Sequence, residues 1–295
     1  MKRLYKEHLR RFKHALSHIF YPSDEKWLAH RYRSKYHRSP NILSPNTFTE
    51  KIQWLKLHYL DERLGKYVDK VLVRDYVANQ IGEDLLIPII QTYSASADID
   101  FEPLPERFVL QCTHDSGSTI IVQHKSELTE RTKKEIRAFY KLRLKENYYY
   151  AGREKQYKQL TPRIIAVQYL SSADEAPTDY KFQCANGEIV YIQVDTGRFS
   201  HHERILMTKD WQTAPFQFSQ YPLPSATPKR PSCLTEMAKI ARKLSAPFPL
   251  VRVDLYCVED KVYFGELTFS PGNGFEPYQN IDMDLALGKL LELES

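Results

Sequence analysis

The chain has no uninterrupted apolar run approaching the roughly 20 residues that a membrane-spanning helix needs. Its first residues also lack the apolar core of a secretory signal peptide, so the sequence predicts a cytoplasmic location. The four cysteines, Cys112, Cys184, Cys233 and Cys257, are widely spaced and include no C-x-x-C pair. This spacing predicts reduced thiols and argues against a disulfide framework or a zinc site.

Several ligand-binding motifs are missing as well. No G-K-[ST] phosphate-loop ending occurs. No helix-turn-helix, zinc-finger or aromatic RNA-binding pattern accompanies the basic residues, which argues against nucleic acid as a partner. The sequence contains no internal repeat and no low-complexity segment. With 42% hydrophobic and 27% charged residues, the 295 residues predict a soluble globular protein of two or three lobes.

Positive charge is concentrated at the beginning of the sequence. Residues 1–38 hold eleven Lys or Arg against three Asp or Glu, whereas the remainder has a small acidic excess. Within residues 1–20 the apolar side chains follow helical spacing, with basic side chains mostly on the other side. Such a helix either makes peripheral contact with an anionic membrane, at the inner face of the cell membrane, or packs its apolar side on its own domain.

The order of predicted elements indicates an α+β fold. Residues 47–50 form a capping-box sequence that opens a helix, and a second helix is predicted from Asp61 to about residue 82. Strands are predicted over 85–90, 107–112, 119–123 and 163–170, a helix over 129–146, and a hairpin with an Asn-Gly turn over 180–194. Prolines break regular structure between 198 and 231, and helices are predicted over 234–244 and from 282 onward.

A C-terminal hairpin, residues 250–268, carries the most informative pair of side chains. If its strands are joined by a three-residue loop at 259–261, Asp254 lies directly opposite Glu266. A two-residue loop would shift the register by one and separate them. Opposed carboxylates repel unless a cation lies between them, and Mg²⁺ prefers such oxygen ligands. The predicted register places these side chains together on one face: Arg252, Asp254, Tyr256, Phe264, Glu266 and Thr268.

The pair therefore predicts a magnesium site, and two alternatives stay open. The two acids could be solvated on an exposed sheet face, because charged alternation is common on half-buried sheets. Arg252 could instead neutralise Asp254, which lies two residues along the same strand face.

Two other segments carry groups suited to anions. Residues 107–122 read as a strand, a small polar loop and a strand, and Gly117 lets backbone N–H groups approach a phosphate, although this loop could also be a plain turn. Residues 195–204 contain two arginines and two adjacent histidines, a composition suited to a carboxylate or a γ-phosphate. Adjacent side chains in an extended strand point to opposite sides, which argues against a two-histidine metal site.

In chain order, these segments resemble the TupA-like family of the ATP-grasp superfamily, which is associated with teichuronopeptide and other surface polysaccharides. The resemblance covers roughly residues 41–290 and rests on five stretches: 47–56, 109–117, 179–182, 251–256 and 265–272. It implies two antiparallel-sheet subdomains that clamp ATP, after a helical N-terminal region. The expected divisions are a basic helical segment (1–40), a helical region (41–100), a small lid subdomain (101–170) and a large subdomain with the metal site (171–295).

The resemblance also implies roles for individual residues. Mg²⁺ is expected at Asp254 and Glu266, with Thr268 where many ATP-grasp enzymes have Asn. The residues expected at ATP are Gln111 in place of a common Lys, His114, Ser116, Gly117, Ser118, the adenine-hinge residues Gln168, Tyr169 and Leu170, and Lys181. The residues expected at the reacting anions are Arg252, Arg198 and Arg204. Those expected at the substrate are His201, His202 and Asn273.

ATP-grasp ligases transfer the γ-phosphoryl group of ATP to a carboxylate and let an amine displace the phosphate, which forms an amide. The resemblance therefore implies an ATP- and Mg²⁺-dependent ligase that joins an amino acid to a uronic acid of a surface polysaccharide or its precursor. Two alternatives stay open. One is a glycosyltransferase of polysaccharide biosynthesis, although no D-x-D lies at a convincing strand end; the other is a non-catalytic nucleotide-binding scaffold.

Overall fold

The computed structural model describes residues 7, 9, 10, 19–170, 177–196 and 202–293. Its α-helices are α1 (Asp24–Tyr36), α2 (Phe48–His58), α3 (Gly65–Val68), α4 (Val73–Ile81), α5 (Glu130–Arg143), α6 (Tyr149–Gly152), α7 (Leu234–Ser245) and α8 (Ile281–Gly288). Its strands are β1 (Ile89–Tyr93), β2 (Phe108–Cys112), β3 (Ile120–Val122), β4 (Ile164–Gln168), β5 (Asp179–Ala185), β6 (Glu188–Thr196), β7 (Glu203–Met207), β8 (Leu250–Val258) and β9 (Lys261–Thr268). Among the residues just given, no helix has the length and apolar content needed to cross a membrane.

The chain forms two compact units. The first contains Asp61–Arg74, residues 87–170 and the described residues before Ser23; the second contains Ser23–Leu60, Asp75–Leu86 and residues 177–293. In the first unit an antiparallel sheet has the order β1-β4-β2-β3. Helix α5 packs on this sheet through Ile136, Phe139 and Tyr140, which join the apolar core of the unit.

The second unit is built on an antiparallel sheet with the order β7-β6-β5-β8-β9. Helix α7 contacts β5, β6 and β8. A second apolar cluster joins α2 and α8 to Tyr191, Leu206 and Leu250 of the sheet. Because side chains alternate between the two faces of a strand, this cluster covers part of the face that also carries Asp254.

Two local predictions are confirmed. Helix α2 begins at a capping box in which the Glu50 N–H donates to Thr47 Oγ1 over 3.2 Å and the Thr47 N–H donates to Glu50 Oε2 over 3.2 Å. The turn between β5 and β6 has positive φ at Asn186 and Gly187, as a type I′ hairpin requires. In both places neighbouring residues alone determine the backbone, so sequence was sufficient.

The prediction of reduced thiols is wrong for two of the four cysteines. Cys233, just before α7, forms a disulfide with Cys257 of β8, and their Cα atoms are 6.1 Å apart. The 24-residue separation gives no local sign of the bond, because α7 must pack on the sheet before the two residues meet. Cys112 and Cys184 are free and buried.

Strand β7 forms within residues 198–231, which the prolines predicted to be irregular. It pairs with β6, and Gln217 supports it by accepting from the Leu206 N–H over 2.7 Å and donating to the Leu206 carbonyl over 2.9 Å. A side chain eleven residues away thus satisfies the backbone of an edge strand. No periodicity within the strand could have predicted this contact.

Two further boundaries differ from the prediction. The helix predicted over 61–82 is interrupted, because Asp69 Oδ1 accepts from the Val71 and Leu72 N–H groups at 2.9 and 3.0 Å and thereby separates α3 from α4. The strand predicted over 85–90 begins only at Ile89, directly after Pro88, and lies at the sheet edge as expected.

Candidate functional site

The turn that joins β8 to β9 contains two residues, Glu259 and Asp260, both with left-handed φ of 51° and 60°. Val258 therefore pairs with Lys261. The predicted three-residue loop is wrong, and Tyr256 pairs with Tyr263 instead of lying beside Phe264. If the ladder continued without interruption, Asp254 would face residue 265 and Glu266 would lie on the other side of the sheet.

A β-bulge restores the predicted pair. Leu255 pairs with Phe264 and Asp254 with Glu266, which leaves Gly265 as the extra residue. A Cβ atom on Gly265 would lie 3.0 Å from the Asp254 carbonyl oxygen and 3.1 Å from the Tyr256 ring, so any side chain at the bulge would have to displace these neighbours. The predicted juxtaposition of Asp254 and Glu266 is confirmed, although its cause is the bulge.

The same face extends across the neighbouring strands. Lys181 of β5 lies opposite Asp254, and Asp179 lies opposite Asp195 of β6. We call this surface the polar face; its members are Asp179, Lys181, Gln183, Gln193, Asp195, Arg252, Asp254, Glu266 and Thr268. Sequence reasoning missed Asp179, Gln183, Gln193 and Asp195, although the alternation Asp179, Lys181, Gln183 was the available signal on β5.

Asp254 is buried and paired with two cations. Its Oδ1 accepts from Arg252 Nε over 2.6 Å, and its Oδ2 accepts from Arg252 Nη2 over 2.8 Å and from Lys181 Nζ over 3.2 Å. Lys181 Nζ also lies 3.0 Å from Asp179 Oδ2. Burial opposes the charge of Arg252, but the Asp254 carboxylate outweighs it and raises the pKa of that guanidinium above its usual value. The neutralisation that sequence left open is therefore present.

The donor set suits a magnesium ion. Arg252 Nη2 also donates to Thr268 Oγ1 over 3.2 Å and lies 3.6 Å from Glu266 Oε1, so both carboxylates and the hydroxyl surround one guanidinium. The Glu266 side chain is 34% exposed and that of Asp254 only 4%, so one carboxylate is accessible from solvent and the other is fixed within the sheet. Carboxylate and hydroxyl oxygens with room for water are what Mg²⁺ requires.

Arg204 of β7 lies at the other side of the polar face. Its Nε donates to Asp195 Oδ1 over 2.6 Å and its Nη1 to Glu276 Oε1 over 2.7 Å, while its guanidinium lies 3.8 Å from the centre of the Tyr221 ring. Burial opposes ionisation of Asp195, yet Arg204 holds the pKa of that carboxyl well below its usual range. His202 Nε2 lies 3.1 Å from Asp195 Oδ1. The candidates Arg198 and His201 lie outside the described residues.

The turn after β9, Pro271–Gly274, is held by helix α2. Gln53 Nε2 donates to the carbonyls of Asn273 and Gly274 over 3.0 and 2.9 Å, and the buried Lys56 donates to Asn273 O over 3.1 Å. The Asn273 Oδ1 atom is buried and accepts no hydrogen bond. Sequence reasoning used the α2 motif for the resemblance but missed its contact with this turn, which follows Glu266 and Thr268 along the chain.

In the first unit, the loop between β2 and β3 is fixed by an internal network. Ser118 Oγ accepts from the Cys112 N–H over 2.8 Å and donates to Asp115 Oδ1 over 2.5 Å. Arg143 Nε donates to Asp115 Oδ2 over 2.7 Å and Arg143 Nη2 donates to Ser116 O over 2.7 Å. These bonds leave Ser116 and Gly117 exposed at the tip, where Gly117 has a φ of 81°. An exposed loop of this shape can present backbone N–H groups to an anion.

Other predicted nucleotide residues lie around the same sheet. His114 is 2% exposed and burial lowers its pKa to about 4, so its ring is neutral near pH 7. Gln111 is half-buried on β2. At the end of β4, Gln168 is exposed, Tyr169 is buried and Leu170 is half-buried.

A sequence model described as TupA-like ATPgrasp matches residues 50–292. A search of curated proteins found no match.

Solved structures similar to this chain include the D-alanine–D-alanine ligase of Bacillus anthracis complexed with ATP (13% identity, 70% of this chain and 54% of that chain, TM-score 0.37). Others are the L-amino acid ligase of Bacillus licheniformis (14%, 77% and 49%, TM-score 0.45) and the ATP-grasp ligase PsnB with its minimal precursor (12%, 82% and 66%, TM-score 0.43). The chain spans about half the length of the first two proteins. The family match covers most of the sequence and confirms both the predicted family and the predicted fold class: the chain belongs to the TupA-like ATP-grasp family.

Proposed function

We propose that this protein is an ATP- and Mg²⁺-dependent carboxylate–amine ligase that attaches an amino acid to a uronic acid of a surface polysaccharide or of its precursor. Membership of an ATP-grasp family supports ATP as the co-substrate. The observation that carries the metal part of the proposal is the pairing of Asp254 with Glu266 across β8 and β9, beside Thr268. The surface-polysaccharide substrate rests on the resemblance alone.

Asp254, Glu266 and Thr268 are the proposed metal ligands. Bound there, Mg²⁺ would neutralise charge on the phosphates of the nucleotide. Lys181, buried beside Asp254, is the proposed phosphate contact of the second unit. An ammonium in this position adds a charge-assisted hydrogen bond to an anionic ligand.

The proposed nucleotide contacts of the first unit are Gln111, His114, Ser116, Gly117, Ser118, Gln168, Tyr169 and Leu170. The exposed tip of the loop supports phosphate binding through backbone N–H groups. At the hinge, recognition through backbone groups would tolerate Gln168 in place of a common Glu. Gln111 is an uncharged donor and makes a weaker phosphate contact than a lysine would.

The proposed reaction needs positioning and charge neutralisation, without a covalent nucleophile on the protein. The substrate carboxylate oxygen attacks the γ-phosphorus and ADP leaves; the amine then attacks the acyl carbon, loses a proton and expels phosphate. Arg252 is proposed to contact the reacting anion, and Arg198 is proposed with it from sequence alone. Arg204 is bonded to two carboxylates, so within this proposal it also fixes Asp195 and Glu276.

His202 and Asn273 are the proposed substrate contacts that the structure describes, together with His201 from the sequence. The unused Oδ1 of Asn273 supports a hydrogen bond to the substrate. For residues 1–20 we propose peripheral contact with the inner face of the cell membrane. Ile19 and Phe20 support this contact, since both are helical and more than two thirds exposed.

The proposal is tested by measuring ADP release with ATP, D-glucuronate and a mixture of amino acids, followed by the mass of the product. Asp254→Asn should abolish ADP release while circular dichroism shows a folded protein. The control is Asp260→Asn, at the exposed tip of the same hairpin, where Asn suits the left-handed backbone. Undiminished turnover by Asp254→Asn would exclude the metal assignment.

Thermal shift separates the alternatives. Stabilisation by MgATP and not by UDP-sugars favours the ligase, and the opposite pattern favours the glycosyltransferase. A response to MgATP without any ADP release, under all substrate mixtures, favours the non-catalytic scaffold.

A further inference from the structure

The central strand of the second sheet carries a buried amide with no partner. Gln183 of β5 is 0% exposed, and neither its Nε2 nor its Oε1 forms a hydrogen bond. The charged side chains of the polar face on β5 and β8 are all paired, Asp179 with Lys181 and Arg252 with Asp254. A buried polar group without a partner is destabilising, and an apolar residue of the same size would avoid this cost.

Gln183 lies directly opposite Arg252. The two residues are paired in register across β5 and β8, so their Cβ atoms are about 5 Å apart and their side chains share the polar face. Arg252 nevertheless directs its guanidinium to Asp254 and Thr268. The Gln183 carbonyl oxygen is thus an unused acceptor within reach of a guanidinium that is engaged elsewhere.

The position of Arg252 conflicts with the metal site of the proposed function. Arg252 and Lys181 occupy both oxygens of Asp254, the oxygens that a divalent cation would use. Like charges at such short distances repel strongly in a partly buried site. Lys181 already has a second acceptor in Asp179. Of the acceptors near Arg252, Glu266 and Thr268 are themselves proposed metal ligands, and Glu276 is already paired with Arg204.

We infer that Gln183 is a positioning residue: its side-chain oxygen accepts a hydrogen bond from the Arg252 guanidinium when Asp254 coordinates a bound metal ion. In the metal-free protein Arg252 and Lys181 balance the buried Asp254 carboxylate; with the metal present, Lys181 stays on Asp179 and Arg252 moves to Gln183. The exchange leaves Arg252 ordered and close to the reacting anion. This inference rests on the proposed function for its metal ion, but the coupling among Gln183, Arg252 and Asp254 is measurable without one.

The first test is binding of Mn²⁺ with the nucleotide analogue AMP-PNP, followed by electron paramagnetic resonance. Gln183→Leu removes the unused acceptor for Arg252 and should weaken Mn²⁺ binding about tenfold, which is the effect of one hydrogen bond from a charged group. Gln183→Glu provides a stronger acceptor, draws Arg252 from Asp254 and should tighten binding severalfold. Equal affinities in all three proteins, or shifts of the same sign in both variants, would overturn the inference.

The second test uses thermal unfolding of the metal-free protein. Gln183→Leu alone should leave Tm unchanged or higher, because the amide has no partner there. In an Asp254→Asn background Arg252 loses its carboxylate and should turn to Gln183, so the same Gln183→Leu change should now lower Tm by roughly 3 °C. Additive effects of the two substitutions would overturn the inference, whatever the result with Mn²⁺.

Gln217→Leu is the matched control for a buried glutamine with a structural role. Its amide is bonded to the backbone of Leu206 and Ala214, so its loss should lower Tm in the wild-type background. If Gln183→Leu lowers Tm as much as Gln217→Leu, Gln183 stabilises the metal-free fold and is not an unused acceptor for Arg252. A wild-type protein that binds no MgATP would refute the proposed function, while the Asp254 cycle would still decide the role of Gln183.

Discussion

The bulge at Gly265 provides the sharpest test of how the candidate site is built. In the observed ladder Asp254 pairs with Glu266 only because Gly265 is left out of the pairing. Gly265→Val places a branched side chain where a Cβ atom already meets the Asp254 carbonyl oxygen at 3.0 Å and the Tyr256 ring at 3.1 Å. Overpacking of this kind costs about 2 kcal/mol, which corresponds to a Tm lower by roughly 5 °C. We expect Mn²⁺ binding to be lost as well, since the Asp254 backbone must move.

Deletion of Gly265 should be milder than its substitution. In a regular ladder counted from Val258 and Lys261, the residue opposite Asp254 is the one after Phe264. Deletion makes Glu266 that residue, so the carboxylate pair and the downstream register are kept. Mn²⁺ affinity should stay within about threefold of wild type, because the ligand oxygens are unchanged and only the local twist is lost.

The matched control is deletion of Tyr263 from the same strand. It also keeps Glu266 opposite Asp254 once Gly265 joins the ladder, but it moves the buried Phe264 to the other sheet face. Thermal unfolding should therefore show a much larger loss for this deletion, because a buried aromatic residue is worth about 3–5 kcal/mol. If the two deletions behave alike, or if Gly265→Val is tolerated better than the Gly265 deletion, the register argument is refuted.

Two further predictions concern stability. Cys257→Ser should lower the free energy of unfolding by about 3 kcal/mol through the loss of a cross-link spanning 24 residues. Cys233→Ser and the double variant should lose no more stability than this, because they remove the same bond. A larger loss in the double variant would contradict the pairing. The pKa of His114 is about 4 in the folded protein and near 6.5 when unfolded, so the unfolded chain binds the extra proton between these values and the contribution of His114 to stability falls as the pH drops through this window. Burial raises the pKa of the adjacent Asp115 to about 7, which acts in the opposite sense, so the His114 contribution is measured as the difference between wild type and His114→Gln in urea titrations at pH 7 and pH 4.5; we expect this difference to change by about 3 kcal/mol.

The sequence was sufficient to predict the local backbone conformation wherever neighbouring residues determine it. The capping box of α2 and the Asn186-Gly187 turn are of this kind. The hairpin turn of β8 and β9 is not, because Glu259 and Asp260 adopt the left-handed conformation without the Asn-Gly signal. The predicted carboxylate pair was right although the predicted loop was wrong, since the bulge compensates for the shorter turn.

Contacts between distant segments could not be predicted from the sequence. Arg204 meets Glu276, 72 residues later, and Cys233 meets Cys257 only after α7 has packed on the sheet. Gln53 and Lys56 donate hydrogen bonds to the Asn273 carbonyl, more than 200 residues later in the chain. These contacts depend on tertiary packing, which a single sequence does not display.

The paired carboxylates also show why repulsion alone was an incomplete guide to the metal site. Asp254 is nearly sealed in the sheet, and an uncompensated charge there would cost several kcal/mol, so cations must lie beside it even when no metal is bound. Glu266 is a third exposed and water can solvate it. Under the proposed function, a metal ion at this pair would displace Arg252 and Lys181 from Asp254, so its affinity would depend on where these two side chains go. Asp179 is the acceptor available to Lys181, and the amide of Gln183 is the acceptor inferred for Arg252, so substitutions of these neighbours should change the metal affinity.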